Sequence, residues 1–227
     1  MSGFFQQLDF SVLTDALINV IPALICITLH ELSHGFVALK LGDPTARNAG
    51  RLTLNPLKHI DLFGLICLAV FRFGWAKPVP IDMRNFKNPR RGMGLTALAG
   101  PAANIVVAVI FLALWGFFTP ALYAGKVGNV VLEVLQSTAI LSIGLAVFNL
   151  LPIPPLDGSK VVFSIISERL YRQLMRYERY GMILLIVLLA TGILSTPMNR
   201  GVSFVWDHLV WIAEAFFKWG KAVFLTA

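Results

Sequence analysis

Hydrophobic positions along the chain gather in long runs separated by short polar stretches, a pattern that fits helices embedded in lipid. Five runs read as spanning helices, residues 13–39, 93–118, 130–151, 180–194 and 202–223. A sixth run, residues 62–75, is fourteen residues long and carries Arg72 and Gly74 near its end, which is short for a crossing and predicts a re-entrant segment. Just before it, Arg51-Leu52-Thr53-Leu54 alternates polar and apolar ahead of Asn55-Pro56, a strand signal that would place an edge strand beside the re-entrant piece. Residues 167–179, rich in Arg, Tyr and Leu, read equally as an amphipathic helix on the membrane surface or as a basic connector. The last run contains Trp206, Asp207, His208, Trp211 and Glu214 and either spans or lies in the interface. The expected fold is an all-α polytopic membrane protein with five to six transmembrane helices and a short re-entrant or strand-containing segment.

Composition agrees with the pattern. The chain is 57% hydrophobic and only 14% charged, outside the usual range of a domain with a fully hydrated surface. No Lys or Arg precedes the first run, so it is expected to stay as a membrane helix instead of serving as a cleaved signal. Two cysteines, Cys26 and Cys67, both in apolar stretches, are too few and too far apart for a disulfide framework or a Cys-rich zinc site. The net charge of +7 does not point to nucleic acid, because the basic residues flank apolar runs and form no stripe interleaved with aromatics. They report topology instead: of nineteen Lys and Arg, ten lie from Lys40 to Arg91 and five from Lys160 to Arg179. By the positive-inside rule both stretches face the cytoplasm. The N-terminus is then expected outside and the C-terminus in the cytoplasm, in a multi-pass protein of a bacterial cell membrane.

The first run ends in His30-Glu31-Leu32-Ser33-His34. At helical spacing the two imidazoles point the same way, and the Glu beside the first reaches the water that a shared metal would hold. His34 lies about 9 Å and His30 about 15 Å along the helix from Lys40, at 1.5 Å per residue. A metal there sits below the membrane surface. Two His and a Glu are costly in lipid at that depth, so they are expected to face the protein interior and pair with something.

Catalytic zinc usually has three protein ligands and an open position for water. The run at 130–151 ends in Asn149-Leu150-Leu151-Pro152-Ile153-Pro154-Pro155-Leu156-Asp157-Gly158, where three prolines forbid a regular helix. Irregular backbone near membrane depth is tolerated only inside protein or along a wet cavity. Asp157 offers oxygen on the same side as the two His, yet Asp-Gly followed by Ser reads equally well as a turn that starts a helix. His59 and Asp61 compete as ligands, although Asn55-Pro56 and the neighbouring charges suggest a connector. Asn149 is a candidate oxyanion donor, or else it ties the Pro-rich loop to a neighbouring helix. The loop, with Pro154 in it, is a candidate to bind an extended substrate by strand addition. Asn104 is a candidate to hold that loop, while Gly100, Ala102 and Ala103 are small enough to let helices approach closely.

These motifs together resemble the site-2 protease family of intramembrane zinc metalloproteases: His30 to His34 near the end of one helix, Asn149 to Gly158 ending a later one. Gly100-Pro101-Ala102-Ala103-Asn104 between them and Asn55-Pro56-Leu57-Lys58-His59-Ile60-Asp61 before the short apolar run are also similar to that family. The resemblance covers roughly Ile21 to Leu194. It implies that His30, His34 and Asp157 bind one zinc ion and that Glu31 is the catalytic acid/base. It implies one membrane-embedded metalloprotease domain over residues 1–227, a compact member without an attached sensing domain.

The implied reaction is hydrolysis of single-span membrane proteins near the cytoplasmic face, as in regulated intramembrane proteolysis, with the bilayer and substrate as the partners. Neither nucleic acid nor an oligomer is indicated. Two other classes compete: a metal transporter with a transit site, and a silent protein that binds membrane helices without cutting them. A transporter should spread its ligands along a path through the bilayer, whereas these cluster at one depth beside an acid/base.

Overall fold

The computed structural model describes residues 10–61, 64, 76–167, 170 and 178–225. Among these the architecture is helical: α1 (Phe10–Lys40), α2 (Thr45–Asn48), α3 (Pro89–Leu122), α4 (Lys126–Asn149), α5 (Asp157–Ile165), α6 (Gly181–Ala190) and α7 (Ser195–Phe224). α3 is the central helix and packs along α1, α4, α5 and α7. Its start is well specified: the Asn88 side chain accepts from the Arg91 N–H, and Pro89 sits in the first turn, where it has no hydrogen bond to lose. Leu112, Ala139 and Ala213 form a core between α3, α4 and α7, flanked by Trp115 and Trp206. α7 lies very close to α3: a Cβ on Gly116 would fall 2.1 Å from the Ala213 carbonyl oxygen, and one on Gly220 2.1 Å from that of Phe117.

Among the described residues three helical segments are long and apolar enough to cross a membrane, Val20–Lys40 within α1, all of α3 and all of α4; α6 and α7 add a fourth only if the pair, bent by 87°, counts as one span. The two last spans expected from hydropathy are therefore not found as separate crossings. α6 has ten residues, about 15 Å at 1.5 Å each, half the hydrocarbon thickness. Gly192, at φ +71°, lets the chain leave α6 sharply. α7 has the length, but Arg200, Asp207, Glu214, Lys218 and Lys221 interrupt its apolar residues. The re-entrant segment expected at 62–75 lies outside the described residues apart from Gly64, as does most of 167–179 and Cys67. Cys26 is buried in α1, its thiol 3.5 Å from the Thr138 carbonyl.

The edge strand expected at Arg51–Leu54 does not form. Among the described residues there is no strand, only an isolated antiparallel bridge between Ile60 and Ala76. Arg51 instead donates to the Lys77 carbonyl at 2.6 Å, and the Lys77 N–H donates to the His59 carbonyl at 2.9 Å. A few residues on, the Asp82 N–H donates to Asp43 at 2.7 Å. Residues 77–82 thus form a strap pinned at both ends. Asp43 is fully buried and also accepts from the Thr45 N–H, the Thr45 hydroxyl and the Asn85 amide. Burial pushes its carboxyl pKa up, but these hydrogen bonds outweigh burial and hold it below the ordinary carboxylate range.

Candidate metal centre and active site

α1 places His30 and His34 one turn apart, and α5 begins at Asp157, so the helix-starting turn and the candidate ligand are the same residue. The three side chains meet. His30 Nε2 and His34 Nε2 are 3.0 Å apart, and each lies 3.1 Å from Asp157 Oδ2. All three residues are only 6% exposed. His59 and Asp61 are not part of this cluster. The His59 ring is buried against the Thr53 carbonyl, 2.9 Å from Nε2, and Asp61 accepts from the Gly64 N–H.

Hydrogen-bond chemistry shows what such a trio needs. His34 Nδ1 lies 2.7 Å from the Thr96 carbonyl, which can only accept, so Nδ1 carries the ring proton and Nε2 presents a lone pair. That lone pair faces a carboxylate oxygen and a second imidazole nitrogen. Lone pairs gathered this closely call for a cation. Zinc bonds to nitrogen and carboxylate oxygen at ~2.0–2.2 Å, which in a tetrahedron spaces ligands by roughly 3.3 Å, a few tenths beyond the observed separations. The donor set and its spacing fit zinc.

Glu31 lines a cavity of about 150 Å³ together with the trio, Asn149 and Lys160. Its Oε2 accepts from the Val79 N–H at 2.9 Å, so the strap holds one carboxylate oxygen. Lys160 Nζ lies 3.3 Å from Asp157 Oδ1, the oxygen turned away from the imidazoles. Asn149 ends α4 and donates to the Leu145 carbonyl at 3.0 Å, so its amide sits at the cavity while bonded to its own helix. Pro155, not Pro154, lines the cavity; Pro154 packs against Gly181 at the start of α6. Asn104 lies under His30 with Nδ2 3.2 Å from Nδ1, and does not hold the Pro-rich loop.

The roles of Val79, Thr96 and Lys160 escaped the sequence reading. Two of them act through backbone atoms, which carry no side-chain signature. Lys160 was legible in principle as an i, i+3 partner of Asp157. Gly100 was read as a helix-packing residue, and what it admits is the imidazole pair: a Cβ there would stand 2.5 Å from both His30 Cε1 and His34 Nε2. Gly100→Ala is therefore expected to displace both rings, at a stability cost of about 1–3 kcal/mol and a loss of cleavage of ~100-fold or more. Thermal unfolding and zinc content of the purified variant, with turnover on a membrane-spanning reporter, check this.

A family model described as Peptidase family M50 matches residues 121–194. "Putative zinc metalloprotease YwhC" of Bacillus subtilis (strain 168) is 37% identical over 204 residues, covering 88% of this chain and 92% of that protein. "Putative zinc metalloprotease Rip2" of Mycolicibacterium smegmatis is 35% identical over 177 residues, covering 76% of this chain and 66% of that protein. No solved structure matches the chain.

Proposed function

The chain belongs to peptidase family M50 and is a zinc metalloendopeptidase; from that premise we propose that it cuts single-span membrane proteins within the bilayer, near the cytoplasmic face. The observation that carries this reading is that His30 and His34, on a helix apolar enough to span, are buried against Asp157 from a proline-broken corner, with Glu31 of the same helix lining the adjoining cavity. Residues 40–91 and 160–179, with fifteen of the nineteen Lys and Arg, then face the cytoplasm, and the N-terminus lies outside.

His30, His34 and Asp157 would hold the zinc, which would supply Lewis-acid polarisation of the scissile carbonyl and a water of lowered pKa. Glu31 takes the proton of the attacking water and passes it to the leaving amine. The Val79 N–H fixes Oε2 of Glu31, so Oε1 is the oxygen free to move that proton. Lys160 holds Oδ1 of Asp157 and brings a positive charge to the cavity wall where negative charge develops on the carbonyl oxygen. Asn149 also lines the cavity and is a candidate second donor to that oxygen.

The cavity also sets what a substrate must do. A space of about 150 Å³ is small beside an intact helix ~10–12 Å across, which supports local unwinding of the substrate before it is cut. The test is purified protein in lipid nanodiscs with a single-span reporter, fragments mapped by mass spectrometry. One cut inside the span near its cytoplasmic end is expected, abolished by chelation and restored by zinc. Cleavage confined to water-exposed loops of the reporter would overturn the intramembrane reading.

A further inference from the structure

Along α3, Thr96, Gly100 and Asn104 recur every four residues and form one stripe. Opposite them on α1 stand His34 and His30. The Thr96 carbonyl meets His34 Nδ1 at 2.7 Å, Gly100 leaves room for both rings, and the Asn104 amide meets His30 Nδ1 at 3.2 Å. Asn104 is fully buried, and its Oδ1 has no hydrogen-bond partner. Its position is fixed from behind, because Ser142 on α4 donates to the Asn104 carbonyl at 2.8 Å.

We propose that Asn104 is a positioning residue for the metal, presenting its amide oxygen to the Nδ1–H of His30; the proposal rests on the zinc reading of the same site. A neutral imidazole has one N–H and one lone pair. When His30 gives the Nε2 lone pair to zinc, its proton sits on Nδ1 and needs an acceptor. Asn104 is the polar side chain at that nitrogen, and only its oxygen can accept. The two ends of an amide have nearly the same shape, so presenting Oδ1 takes a half-turn about the last side-chain bond and no movement of the backbone. The half-turn also pairs the oxygen that otherwise has no partner, and the amide NH2 takes its place. α3 then supplies an acceptor to each imidazole, a backbone carbonyl for His34 and an amide oxygen for His30, which fixes both tautomers with Nε2 toward the metal. Supporting hydrogen bonds of this kind typically change metal affinity by 10–100-fold.

The requirement for an acceptor separates this role from simple packing. Asn104→Asp keeps the shape and can accept but not donate; Asn104→Leu keeps much of the volume and does neither. Zinc dissociation constants of the full-length protein in detergent, measured by competition with a chromophoric chelator, are expected to stay within about threefold of wild type for N104D and to weaken by 10–100-fold for N104L. The d–d absorption of the cobalt-substituted protein should keep its wild-type shape in N104D. A tenfold weakening in N104D would show that donation, not acceptance, is what His30 needs, and would overturn the proposal. So would wild-type affinity in N104L. If N104L does not fold, the N104D constant and spectrum decide alone. Wild-type protein that binds no zinc would instead overturn the zinc reading itself.

Discussion

Glu31→Gln is expected to lower cleavage of a membrane-spanning reporter by ~10²–10⁴-fold while leaving one zinc per chain. The change is nearly isosteric and neutral. Gln keeps an oxygen that can accept from the Val79 N–H, so the contact made by Glu31 Oε2 at 2.9 Å and the strap behind it survive. What Gln lacks is a lone pair basic enough to take a proton from water. His30, His34 and Asp157 meet without any contribution from Glu31, so metal content should not change. Zinc analysis of E31Q beside wild type, with turnover measured in the same nanodiscs, checks both halves. A variant that loses zinc would make Glu31 a structural support, and one that cuts normally would move the acid/base role elsewhere. A metal transporter with the same trio would keep moving metal in E31Q.

Asp157→Asn should have the largest effect on the metal. It removes the negative charge from a cluster in which two imidazole nitrogens lie within 3.1 Å of one carboxylate oxygen. Hydrogen bonds that only support a ligand are worth about 10–100-fold in affinity, so loss of the anionic ligand itself is expected to exceed 100-fold. Wild-type protein gains stability on zinc loading as RT ln(1 + [L]/Kd), about 2.7 kcal/mol at 100 Kd. That zinc-dependent rise in Tm should vanish in D157N at the same zinc concentration. The local backbone should hold, since Gly158 stays packed against the Leu150 and Leu151 carbonyls. An unchanged zinc-linked rise in D157N would remove the carboxylate from the ligand set and reopen the question of the third ligand.

How far the sequence was readable depends on how local each signal is. His30 and His34 declare themselves because helical spacing alone aligns them. Asp157 does not: His30, with which it pairs, lies 127 residues away in the chain, and Asp-Gly-Ser at a helix start looks the same with or without a ligand role. Helix type and the three segments apolar enough to cross a membrane were legible from hydropathy. The fate of residues 180–194 and 202–223 was not: read as two spans, they form a pair bent by 87° that counts as one span at most, because hydropathy reports how apolar a run is and not where the chain turns, as it does at Gly192. Arg51–Leu54 alternated like a strand but found no neighbouring strand to pair with; Arg51 spends its guanidinium on the Lys77 carbonyl instead. Glu31 was legible as the acid/base candidate, and its tether to Val79 was not, since a backbone N–H has the same identity at every residue but proline.

The sequence distances inside the centre also set an order of events during synthesis. His34 bonds to a carbonyl 62 residues ahead of it, His30 to an amide 74 residues ahead, and both to a carboxylate beyond that. When α1 first enters the membrane, none of these partners has been made. His30 and His34 are therefore without the partners that satisfy them in the folded protein until α3 arrives, and the three-residue cluster is complete only after Asp157 has left the ribosome.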